Sequence, residues 1–209
     1  MVSRRGSVSL RKAVSSQVIF GFSMDEIKEQ KCKRTKKRAI IGDLISFAIT
    51  FAIILIIHTF CLEKVSVEGS SMVPSLNDGD LLLAEKLSPR FDKIERYDVI
   101  YFYPGGDRES RAFIKRVIGL PGETIQIKDS HIYINDMLLE EDYANESVFK
   151  PGMAIEPVVL GEDEYFVLGD NRNHSSDSRD PAVGIVKHDY IIGHAFIRLL
   201  PLSSLGKLE

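Results

Sequence analysis

A serine hydroxyl becomes a nucleophile only when a base lies within hydrogen-bond reach, and two segments of this chain supply the residue types for that chemistry. In GSSMVPSL, Gly69 to Leu76, Ser71 follows Gly and Ser and precedes Met72 and Pro74, so it is expected on a turn. Taken alone, such a serine is most simply a turn residue. In AFIKRVIGLPGE, Ala112 to Glu123, alternation assigns Phe113, Lys115 and Val117 to one strand face and Ile114, Arg116 and Ile118 to the other. A lysine there is explained by an exposed edge or by snorkelling along its own stem. If it is buried, desolvation disfavours the ammonium and lowers its pKa by several units from about 10.4. A neutral amine is a competent base, which is how a Ser/Lys pair can replace Ser/His/Asp.

A third segment, GDNRNHSSDSRDPAVG, packs Asp170, Asn171, Arg172, Ser175, Ser176, Asp177, Ser178 and Arg179 after the apolar run EYFVL. A stretch of this kind is commonly a solvated loop. Alternating charged and hydrogen-bonding groups also order such a loop, making it a support for a site rather than the source of the nucleophile. His174 lies among these residues with Asp170 and Asp177 nearby, but a histidine in a polar loop is ordinarily solvated, and a Ser/His/Asp reading is rejected.

The elements that must position these residues follow from the hydrophobic period. Beyond residue 62 it is near two, with short runs such as KVSVE, DLLLAE, DVIYFY, AFIKRVIGL, ETIQIK, HIYIND, EYFVLG and HAFIRLL between turn-rich stretches. ETIQIKDSHIYIND has the form of a hairpin turning at Asp129 and Ser130. The fold class expected is mostly β, an antiparallel β-sheet domain with one N-terminal transmembrane α-helix. Residues 136–163 have weak periodicity and are expected to form a surface insertion.

The transmembrane helix is residues 39–62, which carry one formal charge in 24 positions and would reach roughly 36 Å as a helix. The run begins late and ends in Phe60, Cys61 and Leu62, so it is read as a retained anchor and not a cleaved leader. Asp43 and His58, near its ends, are boundary residues without an assigned function. Residues 1–38 hold eleven of the 27 Lys and Arg against three acids, a net +8, while the remainder sums to −11. The basic flank predicts an N-terminus in the cytoplasm and residues 63–209 outside it. The expected organisation is therefore a basic cytoplasmic tail (1–38, with residues 1–30 largely unstructured), a span (39–62) and an extracytoplasmic β-rich catalytic domain (63–209). Cys32 and Cys61 have no metal-ligand or redox spacing, so neither a disulfide nor a structural zinc is expected.

SMVPSL, FIKRVIGLPGE and GDNRNHSSDSR, in that order, resemble the three signature boxes of bacterial type I signal peptidases. The resemblance runs from about residue 62 to residue 199 and is similar to the single-span Gram-positive form. It implies Ser71 as nucleophile, Lys115 as general base and Ser175 as a hydroxyl that orients the lysine amine. It also implies that Asp177 pairs with Arg179 and Arg116 to fix the third segment beside the strand of Lys115. Some relatives place a serine where Gly69 stands; here the oxyanion donors would be the backbone N–H of Ser71 and a second donor near Gly69 or from water. Relatives often have Gly where this chain has Tyr97, a difference expected to touch only a turn.

The function implied is a membrane-anchored serine endopeptidase that cleaves signal peptides from exported precursor proteins through an acyl-enzyme, with no cofactor or metal. Its partners would be those precursors and the lipid bilayer, and no nucleic acid. The substrate, with small residues before the cut, is expected to bind as an extended strand over two shallow pockets. Two rivals exist. A self-cleaving Ser/Lys regulator would carry a soluble DNA-binding region in place of the span, and residues 1–38 show no helix-turn-helix pattern. A non-catalytic membrane-anchored β-module would need neither Ser71 nor Lys115.

Overall fold

The structure, a computed structural model, describes residues 24–208 apart from Asp92, Lys93, Asp142 and Asn145. It divides into an N-terminal unit ending at Leu55 and a unit from Ile56 onward. A single helix, α1 (Met24–Phe60), carries both the end of the basic segment and the apolar run. Helix therefore begins well before residue 39 and covers 24–30, which were expected to be unstructured; residues 1–23 of the predicted tail lie outside the described residues. Nothing between Met24 and Phe60 breaks it: there is no proline, and Glu29 pairs with Lys33 one turn on at 2.7 Å, in the favoured order. Within the apolar part Thr50 Oγ1 donates back to the Ser46 carbonyl at 3.0 Å, which satisfies a hydroxyl that lipid would leave unpaired. Residues 28–57 are long and apolar enough to cross a membrane.

The second unit is built of twelve strands among the described residues, and every pairing is antiparallel. In chain order they are β1 (Leu62–Ser66), β2 (Leu81–Glu85), β3 (Val99–Phe102), β4 (Phe113–Gly119), β5 (Thr124–Lys128), β6 (His131–Ile134), β7 (Met137–Leu138), β8 (Val158–Val159), β9 (Glu164–Leu168), β10 (Val186–Lys187), β11 (Ile191–Leu200) and β12 (Gly206–Lys207). The larger sheet runs β1-β2-β11-β3-β4-β9-β10, with β12 added on β11; the smaller runs β7-β6-β5-β8. All eight alternating runs of the sequence become strands, and Asp129 and Ser130 take φ of 51° and 64°, the left-handed pair of a tight hairpin turn.

Residues 136–163 differ from the expected surface insertion. They contribute β7 and β8, and Val148, Ala154 and Leu160 are buried against Ile125, Ile127 and Ile132 of the hairpin. The segment is irregular in period because single residues, rather than a strand face, supply its contacts.

β4 is the strand on which the rest depends. Its alternation holds: Phe113 and Val117 pack in a cluster with Ile100 and Phe102, whereas Ile114 packs with Val67, Met72 and Leu76, and Ile118 with the core of the smaller sheet. Both Lys115 and Arg116 are buried, at 4% and 1% exposure, which removes the exposed-edge explanation of the lysine.

Candidate active site

Ser71 sits in the turn that follows β1, where Val73 N–H donates to the Ser70 carbonyl at 3.2 Å and Leu76 N–H to the Met72 carbonyl at 2.8 Å. Buried Met72 and Leu76 tie the turn to the core beneath. The turn comes to β4 from a different part of the sheet, and Lys115 Nζ and Ser71 Oγ meet at 2.8 Å. Nζ makes a second hydrogen bond, donating to the Ile114 carbonyl at 3.0 Å, and the Phe113 ring lies 5.2 Å from it on the same strand face.

Burial pulls the Lys115 amine down to about 8, against the raising influence of the Asp177 and Asp170 carboxylates and with a small further lowering from Arg111. The dominant cause is desolvation: the amine has lost most of its water, and among the described residues no carboxylate hydrogen-bonds it in compensation. About a tenth of it is thus neutral at pH 7, and the 2.8 Å contact serves equally with the hydroxyl donating to a free amine.

The GDN segment, Gly169 to Asp180, is an ordered support. Asn171 clamps the turn of Ser71, its N–H donating to the Ser71 carbonyl at 3.1 Å and its Nδ2 to the Ser70 carbonyl at 3.0 Å. Asp177 accepts from Arg179 Nε and Nη2, both at 2.7 Å, and from Gly169 N–H at 3.1 Å, as the resemblance implied for Arg179. Arg116, however, pairs with Asp170 and not with Asp177: Nε reaches Oδ1 at 2.9 Å and Nη2 reaches Oδ2 at 2.8 Å. Strand register explains the difference. Arg116 stands opposite Leu168 of β9, and Asp170, two residues further, returns to the same side.

Ser175 also departs from expectation. Its Oγ is buried and has no hydrogen-bond partner, so the bond to Lys115 is not made in this structure. Ser175 nevertheless packs beside the Ser71 backbone, because a Cβ placed on Gly169 would overlap both Ser175 Oγ and the Ser71 carbonyl oxygen. His174 is exposed, as read from the sequence.

At the expected oxyanion region, Ser71 N–H donates to no group among the described residues and is free for a ligand. Gly69 takes φ of +86° and its N–H is occupied by Asp78 Oδ1 at 2.7 Å, which removes it as the second donor. Tyr97 reaches further than a turn. It holds φ of +77°, where glycine is at ease, and its carbonyl accepts from Arg116 Nη1 at 3.0 Å.

Tyr143 and Glu141, in the segment read as an insertion, carried no sequence signal at all. Tyr143 lies 4.2 Å under the Arg116 guanidinium, and Glu141 forks Arg172 at 2.6 and 2.7 Å.

Beside Ser71 and Lys115 opens a cleft of about 310 Å³, with Val65 to Glu68 and Arg111 to Ile114 among its lining. β1 is the outermost strand of its sheet, and β9 pairs with β4 only from Arg116 onward. Both walls therefore present strand edges able to accept an added extended peptide.

Residues 40–200 match the profile of the family described as "Signal peptidase, peptidase S26". The chain is 37% identical over 156 residues to a probable signal peptidase I-2 of Synechocystis sp., covering 73% of this chain and 69% of the relative. It is 33% identical over 198 residues to signal peptidase I T of Bacillus subtilis, covering 89% and 100%. A solved signal peptidase I from Enterococcus faecalis is 38% identical, spans 49% of this chain and 96% of its own, and has a TM-score of 0.40.

Proposed function

The chain belongs to the signal peptidase family, peptidase S26, and from that premise we propose that it removes signal peptides from exported precursors with Ser71 as nucleophile and Lys115 as general base. The observation that carries this reading is the 2.8 Å contact between Lys115 Nζ and Ser71 Oγ on a buried amine whose pKa is lowered toward neutrality.

The neutral amine accepts the hydroxyl proton as Ser71 Oγ attacks the carbonyl before the cut, giving a tetrahedral oxyanion that Ser71 N–H stabilises. Collapse breaks the C–N bond, and the ammonium of Lys115 returns the proton to the leaving amine. Water, deprotonated by the same amine, then attacks the acyl-enzyme ester and frees the acid, and Ser71 recovers its proton. Ser175, with its unpartnered hydroxyl, is the group available to steady the amine when peptide fills the cleft. Arg116 with Asp170 holds the GDN segment against β4, and Asp177 with Arg179 braces that segment from within.

The two open strand edges favour a substrate bound in extended form, and the apolar lining of Val67, Met72 and Ile114 suits an apolar side chain before the cut, a small one in keeping with the family. The apolar run within α1 and its basic flank support a single-pass anchor with the N-terminus in the cytoplasm and residues 63–209 on the substrate side.

The test is incubation of the detergent-solubilised full chain with a precursor carrying Ala before the cut, and mass mapping of the new N-terminus. One cut at that bond, lost with Ser71→Ala and with Phe in place of the Ala, is expected. Failure to cut, or an undiminished cut by Ser71→Ala, overturns the reading.

A further inference from the structure

Two charged residues stand at the mouth of the cleft, and neither takes a proton-transfer step in the mechanism above. Glu68, just past β1, and Arg111, just before β4, come from opposite walls and form an ion pair across it. Their side chains are 63% and 62% exposed, whereas Val67 and Met72 below them are buried at 3% and 1%. The pair is thus a rim over an apolar floor.

An extended peptide turns successive side chains to opposite sides. With the residue before the cut directed at the floor, its N-terminal neighbour points outward, toward the rim. We infer that Glu68 and Arg111 are specificity-determining residues that read the charge of the substrate side chain two residues before the cut, an inference that rests on the peptidase function proposed above. While paired, the two charges cancel, and the rim tolerates either sign. An exposed pair of this kind is weak, so a peptide opens it at little cost, and removing one partner leaves the other as an uncompensated charge facing the substrate.

The experiment compares kcat/KM for two precursor peptides identical except for Lys or Glu two residues before the cut, using the full-length protein in detergent. The wild type should treat them nearly alike. Glu68→Gln should lower the Lys-to-Glu ratio by about two- to five-fold, the range expected for an exposed pair, and Arg111→Gln should raise it by a similar factor. The double reversal Glu68→Arg with Arg111→Glu should bring it back. Arg111 also favours the neutral form of Lys115, but that effect is common to both peptides and cancels in the ratio. If the wild type cuts neither peptide, the peptidase function falls and this inference with it. If both are cut and neither single variant moves the ratio, the inference alone is overturned.

Discussion

Arg116 and Asp170 are joined by two parallel hydrogen bonds of 2.9 and 2.8 Å, with both side chains buried at 1% exposure or less. The pair sits one residue along β4 from Lys115 and one residue before Asn171, which holds the carbonyls of Ser70 and Ser71. It links the strand of Lys115 to the turn of Ser71. Removing Asp170 takes away the carboxylate that forks the buried Arg116 guanidinium, and breaking a buried pair of this kind typically costs about 3–5 kcal/mol. Asp170→Asn should therefore unfold at clearly lower urea, and the surviving folded protein should cleave poorly because β4 and the turn lose their common anchor. Adding Arg116→Met should recover part of the stability but not the activity. An unchanged urea midpoint in Asp170→Asn would show that the fork is not structural.

Gly169 makes a separate demand. Its missing Cβ lets Ser175 and the Ser71 carbonyl approach the GDN backbone, and a methyl group there overlaps both. Gly169→Ala should lower kcat/KM by at least about tenfold, since an ångström of misplacement is worth about a hundredfold in a poised site. Thermal melting should show a folded protein of lower Tm. Near-normal cleavage would mean that the turn yields without consequence for Ser71.

Much of this arrangement was legible in the sequence because it depends on period and residue type. The two-residue alternation named every long strand, and the same alternation set Lys115 beside Phe113 and apart from Ile114. Register was not legible, and register decided that Arg116 takes Asp170 rather than Asp177. The same limit hid Tyr143, whose contact with Arg116 is made by one residue of an irregular segment. The occupied N–H of Gly69 depends on Asp78, nine residues away across a turn, and no local pattern announces it.

The role proposed for Lys115 is tested by a substitution that keeps charge and stem. Lys115→Arg retains a cation of similar length, yet a guanidinium stays protonated and leaves no free base at any working pH. Cleavage should be lost while the melting curve shows a folded domain. In the wild type, kcat/KM should rise with pH through one ionisation near about 8 and then level off. A folded Lys115→Arg protein that still cleaves would return the search for a base to His174.

The same lowered pKa makes a prediction about stability that needs no substrate. The amine titrates at about 8 in the folded chain and at its ordinary 10.5 once unfolded, so between those values the unfolded state binds a proton that the folded state does not. Stability contributed through Lys115 therefore rises with pH across that window: the burial penalty is full below about 8 and gone above 10.5. A lowering of that size corresponds to a penalty of about 3 kcal/mol. Lys115→Met keeps a long apolar stem without the charge, so it should be more stable than the wild type at pH 7. That advantage should shrink steadily as the pH climbs from 8 to 10.5. The lost hydrogen bond to Ser71 offsets both ends of the curve equally, which makes the slope the diagnostic quantity. Urea denaturation of both proteins at a series of pH values measures it. Parallel curves would mean that Lys115 titrates alike in the folded and unfolded chains, and the buried amine would then no longer account for a base near neutral pH.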